Sequence, residues 1–154
     1  MKYFIENNFL KQKDCEKIIN FYNENKEKTY KHGSLETGTI PLNIVNIKNN
    51  LFKKILDKIK NKYFKYFLWE KISNFEIVCW PVGSYMDPHF DKGDKCGFFI
   101  YLNDDFVGGQ TELINIKIIE PKTGKILIFD NGNILHKVHK VIKKDRYTLA
   151  GWYI

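Results

Sequence analysis

From about residue 75 onward the chain breaks into short runs of β-branched and aromatic residues: FEIVCW, GFFIYLN, TELINIKIIE, KILIF, ILHKVHKVI and RYTLAGWYI. Between them lie PVGS, DKGDK, NDDFVGG, PKTG and DNGN, all turn-forming in composition. Runs this short cannot each make a helix of useful length. At this spacing they predict a β-sandwich or barrel. The first half reads differently. Cys15, Ile18, Ile19 and Tyr22 recur at helical spacing, and Phe52, Ile55, Leu56, Ile59 and Tyr63 do so again. Between these segments KHGSLETGTIPLN predicts a loop or irregular strand. Helices first and strands after predict an α+β fold in which the helices buttress one sheet.

A chain of 154 residues suits one domain, 1–154, with 1–74 as mainly helical support and 75–154 as the β core. Hydrophobic residues make up 44% of it, enough to build a core and to exclude disorder. No run approaches the roughly 18 apolar residues of a membrane span. The three cysteines, Cys15, Cys79 and Cys96, are widely spaced and odd in number, which predicts reduced thiols and a cytoplasmic setting. Net charge is +7, but residues 1–74 carry it, with 15 lysines against 8 acids, while 75–154 balance. A solvated lysine surface is therefore favoured over a nucleic-acid patch.

Two features carry chemistry. The stretch SYMDPHFDKGDK places His89 two residues before Asp91, a spacing that puts both side chains on one face of an extended strand. An imidazole and a carboxylate so placed can share a divalent metal. Two further histidines, His136 and His139, project to opposite faces if their segment is extended, so only one can join. Arg146, the single arginine, and Thr148 share a face two residues apart. A guanidinium and a hydroxyl so arranged suit one carboxylate. Gly108 and Gly109 predict a turn with positive φ. Asp87, Asp94, Asp104 and Asp105 read as solvated loop acids, and Phe129 and Trp152 as core.

The motifs PHFD, YLND, GGQTEL, PKTGKILIFDN, LHKVHKV and RYTLAGWY, with FLKQKDCEKII at the front, stand in an order that resembles the Fe(II)- and 2-oxoglutarate-dependent oxygenases, above all their prolyl 4-hydroxylase-like branch. That resemblance implies a double-stranded β-helix, or jelly-roll, core with the N-terminal helices on one sheet. It implies that His89, Asp91 and His136 hold Fe(II), since the distal histidine of the family stands ten residues before the basic residue that binds 2-oxoglutarate. His139 is then not a ligand. Arg146, assisted by Thr148 and Tyr101, would bind 2-oxoglutarate, with O2 as co-reactant and ascorbate as accessory reductant. The implied reaction is hydroxylation of an unactivated C–H bond with release of succinate and CO2, on a peptidyl proline of a protein or peptide partner. The same chemistry on a free amino acid, another side chain or a nucleobase is the alternative, and a non-catalytic jelly-roll module a further one. Two departures bear on substrate: Met86 stands where relatives often have tyrosine, and the basic residue is arginine where many have lysine. Residues 32–45 and 84–88 are the expected substrate lid.

Overall fold

A computed structural model describes residues 2–31, 38–41 and 49–154. The chain begins with β1 (Tyr3–Glu6), α1 (Gln12–Glu24), β2 (Tyr30–Lys31), β3 (Gly38–Pro41) and α2 (Asn50–Phe67). It continues through β4 (Ile72–Trp80), β5 (Met86–His89), β6 (Cys96–Tyr101), β7 (Val107–Gly108) and β8 (Thr111–Leu113). The last strands are β9 (Lys117–Ile119), β10 (Ile126–Phe129), β11 (His136–Val138), β12 (Val141–Lys143) and β13 (Arg146–Tyr153). They form a seven-stranded sheet, β1-β10-β6-β13-β4-β3-β2, a four-stranded sheet, β5-β11-β8-β9, and the pair β12-β7. Every pairing among them is antiparallel. This is the α+β architecture with a jelly-roll core.

Period-two alternation divides the large sheet into two chemically distinct faces. On β4, Phe75, Ile77 and Cys79 join the core beneath the helices, whereas Asn74, Glu76, Val78 and Trp80 line a cavity. On β13, Leu149 and Tyr153 belong to that core, whereas Arg146, Thr148, Ala150 and Trp152 line the cavity. The helices supply the other half of the core: Cys15, Ile18 and Tyr22 from α1, and Phe52, Ile55, Ile59 and Tyr63 from α2. A fully buried side chain of this kind contributes about 1.5–3 kcal/mol, so the helical stripe is what holds the sheet flat against α1 and α2. The Asn49 side chain caps α2 by accepting the Leu51 N–H at 3.0 Å. Among the described residues no helix is long and apolar enough to cross a membrane.

Several elements differ from the sequence reading. The first 74 residues are not only helical, because β1, β2 and β3 extend the large sheet at both ends. These strands are two to four residues long, too short for a periodic signal. TELINIKIIE is two strands joined by a turn at Asn115, whose φ is +60°. ILHKVHKVI also divides, with β11 in the four-stranded sheet and β12 paired to β7. Of the expected lid, residues 86–88 lie inside β5, hydrogen-bonded to β11. Residues 32–37 and 42–45 of that lid lie outside the described residues. Gly108 and Gly109 do have positive φ, +79° and +63°.

Candidate metal and cosubstrate site

The four-stranded sheet brings the two halves of the candidate metal site together. His136 on β11 pairs directly with His89 on β5, and their ring centroids lie 4.2 Å apart. Asp91 lies past the end of β5, so strand alternation does not place it. Its backbone N–H instead donates to Asn131 O at 3.0 Å. Ligand atoms of His89, Asp91 and His136 all fall within 4.8 Å of one another. His89 Nε2 is 3.5 Å from Asp91 Oδ1, and His136 Nε2 is 3.5 Å from Oδ2.

Both imidazoles are set for metal binding through the same nitrogen. His89 Nδ1 lies 2.8 Å from Asp87 O, and His136 Nδ1 lies 2.9 Å from Ile134 O. A carbonyl only accepts, so each Nδ1 carries the proton and each Nε2 presents a lone pair to the cluster. Phe129 meets the His136 ring edge-to-face at 4.8 Å. Burial pushes the Asp91 carboxyl upward. The adjoining His136 ring and hydrogen bonds donated by Asn131 and Trp152 outweigh that and hold its pKa at about 2. Two neutral imidazoles and an ionised carboxylate make the donor set of a facial three-ligand ferrous site.

His139 is not part of this cluster. Its Nε2 sits 2.7 Å from Glu112 Oε2. The segment containing both histidines is extended, and the three-residue step sends them to opposite faces.

Arg146 lies deeper, with 2% exposure, against 8% for the His136 side chain and 30% for that of His89. Its guanidinium carbon lies 4.8 Å from the centroid of the Trp80 ring, 5.7 Å from that of Phe99 and 5.3 Å from that of Tyr101. Nη2 donates to Thr111 Oγ1 at 3.3 Å, while Nε and Nη1 are buried without a partner. No carboxylate among the described residues pairs with Arg146. Burial lowers its pKa, partly offset by the Tyr101 hydroxyl, yet a guanidinium remains charged. An uncompensated buried cation costs on the order of several kcal/mol. Such an arrangement fits an anionic ligand that supplies the missing acceptors. Gly109 makes room for the Arg146 side chain, because a Cβ there would come 2.9 Å from Arg146 Cδ.

Both groups open on one cavity of about 460 Å³, whose walls include Val78, Trp80, Phe99, Phe129 and Val138. Thr148 lines it and accepts from Trp80 Nε1 at 3.3 Å. Tyr101 does not line it. Its hydroxyl accepts the Thr111 N–H at 3.2 Å and reaches Ile119 O at 3.4 Å, so it sits behind Arg146. Trp152 is not core: it lines the cavity and donates from Nε1 to Asp91 Oδ2 at 2.9 Å. Asp94 also lines the cavity, whereas Asp104 accepts the Thr123 N–H and Asp105 pairs with Lys144. Thr111 and Asn131 escaped the sequence reading. Thr111 lay in view inside GGQTEL, and Asn131 was hidden in a turn-like DNGN.

Residues 75–154, just over half of the chain, match the 2OG-Fe(II) oxygenase superfamily. The chain belongs to that superfamily. It is a 2-oxoglutarate-dependent dioxygenase that uses Fe(II). Solved structures share the oxygenase's fold at low sequence identity. A viral collagen prolyl hydroxylase from Paramecium Bursaria Chlorella virus-1, in its 2OG complex, has a TM-score of 0.80 at 16% identity, over 99% of this chain and 95% of that one. HygX from Streptomyces hygroscopicus, with nickel and 2-oxoglutarate bound, gives 0.78 at 11%, over 98% and 82%. A Trichoplax adhaerens prolyl hydroxylase, in complex with a hypoxia inducible factor peptide fragment, gives 0.72 at 14%, over 99% and 83%. No curated protein matches the oxygenase in sequence.

Proposed function

We propose that this oxygenase hydroxylates a peptidyl proline, with His89, Asp91 and His136 holding Fe(II) and Arg146 seating the far carboxylate of 2-oxoglutarate. The observation that carries the site assignment is the buried Arg146, with two unpartnered nitrogens, opening on the same cavity as the three converging ligands. Bound there, Fe(II) and 2-oxoglutarate would supply, with O2, the oxidising chemistry that puts one oxygen atom into a C–H bond and the other into succinate, with release of CO2. The chain's own work is placement. The His89 and His136 Nε2 lone pairs and the Asp91 carboxylate fix three donors on one side of the ion. Arg146 supplies a planar fork that orients a carboxylate in two-point fashion. Thr111 and Thr148 line the same stretch of cavity as hydroxyl partners, and Tyr101 steadies Thr111 and the guanidinium from behind. The aromatic and aliphatic walls keep water from the reacting centre.

The prolyl substrate is supported by the fold shared with two prolyl hydroxylases, one of them in complex with a peptide. The test is succinate release with Fe(II) and 2-oxoglutarate, with and without a proline-rich peptide, followed by mass analysis of the peptide. Peptide-stimulated turnover and gain of one oxygen on proline are expected. Turnover that no peptide stimulates would move the reading to a different C–H substrate.

A further inference from the structure

Asp91 is held more tightly than a bare ligand requires. Its Oδ2 accepts the Asn131 side-chain amide at 2.8 Å and the Trp152 indole N–H at 2.9 Å. Two donors occupy both lone pairs of that oxygen. Oδ1 lies 3.5 Å from His89 Nε2 and Oδ2 the same distance from His136 Nε2, so what distinguishes Oδ1 is that it carries neither of those two donors. The holder is itself fixed. Asn131 is fully buried, accepts the Asp91 backbone N–H, and packs over Gly97, where a Cβ would approach its amide nitrogen to 2.7 Å. Trp152 reaches in from β13, whose same face carries Arg146 and Thr148.

We propose that Trp152 and Asn131 are positioning residues that make Asp91 a one-oxygen ligand through Oδ1. This rests on the metal reading of the His89, Asp91 and His136 cluster. The consequence is chemical. A carboxylate binding through both oxygens would take a further position of an octahedral ion, leaving too few for a chelating 2-oxo acid and O2 together. By saturating Oδ2, the clamp keeps that position open. It also ties the metal ligand to the strand that carries Arg146, so one element sets both ends of the cosubstrate site.

The test uses Co²⁺ as the probe, with wild type, Trp152→Phe and Asn131→Ser. Trp152→Phe keeps the ring and removes the donor, so it decides alone if Asn131→Ser fails to fold. Melting of the metal-free proteins monitors folding. Titration gives affinity, and X-ray absorption gives the metal-to-carboxylate-carbon distance, which is shorter when both oxygens bind than when one does. The variants are expected to bind Co²⁺ roughly 10–100-fold more weakly, with one more carboxylate oxygen at the metal and weaker 2-oxoglutarate binding to the loaded protein. A wild-type metal-to-carboxylate-carbon distance in the folded variants overturns the clamp. Failure of the wild type to bind Co²⁺ at all would instead remove the metal-site reading beneath it.

Discussion

The triad end and the arginine end of the cavity are finished to different degrees. Around Asp91, Oδ2 has two donors, and both imidazoles have their Nδ1 protons committed to carbonyls. Around Arg146, three aromatic rings, one threonine hydroxyl and, among the described residues, no carboxylate surround a buried cation. The triad end is preorganised, its three donor groups already fixed toward one another. The arginine end is a stored electrostatic debt that only an anion settles. A site built this way binds its metal through geometry and its cosubstrate through relief of desolvation.

The largest effects should separate the two ends. His136→Ala is expected to abolish Fe(II) binding and turnover, whereas Arg146→Ala should leave metal affinity near wild type and raise the 2-oxoglutarate Kd by roughly 100-fold, the loss of two charge-assisted hydrogen bonds. Calorimetric titration of each ligand checks both. Equal loss of metal and cosubstrate in Arg146→Ala would erase the distinction.

Stability gives the next test. Replacing buried ionic groups with apolar side chains of similar volume is often neutral or stabilising by about 1–4 kcal/mol. Arg146→Met should therefore melt higher without cosubstrate, by roughly 2–4 °C per kcal/mol, while losing response to 2-oxoglutarate. A lower melting temperature would mean that the ring contacts to Trp80, Phe99 and Tyr101 outweigh the burial cost.

Smaller changes sharpen the arginine end. Thr111→Val and Thr148→Val each remove one hydroxyl, a net of about 1 kcal/mol. The KM for 2-oxoglutarate should rise several-fold with little change in metal affinity. At the bottom of the scale, His139→Ala should alter neither metal binding nor turnover measurably, because His139 faces Glu112 on the opposite side of its strand.

Much of this was legible in the sequence, for stated reasons. Alternation along FEIVCW and RYTLAGWY encodes the two faces of the large sheet, and the single arginine marks itself. Choosing His136 over His139 needed the family's spacing, because alternation says only that they diverge. What was not legible depends on partners distant in sequence. Trp152 reads as core until Asp91 is placed beside it, 61 residues away. Asn131 reads as a turn residue until Asp91 is found to lean on both its backbone and its amide. Tyr101 was expected at the cosubstrate, but its hydroxyl is taken up by Thr111 and Ile119 behind the arginine. The strand β1 carries no periodicity over four residues and is defined only by its pairing with β10.

The central claim is that His89, Asp91 and His136 bind Fe(II) while Arg146 seats the cosubstrate carboxylate beside it. Anaerobic titration of Fe(II)-loaded protein with 2-oxoglutarate, followed by the visible charge-transfer absorption of the iron–2-oxo acid chelate, tests it most directly. A saturable band in wild type, the same band at far higher 2-oxoglutarate in Arg146→Ala, and none in His136→Ala is the predicted result. A full band in His136→Ala, or a wild-type titration in Arg146→Ala, would contradict it.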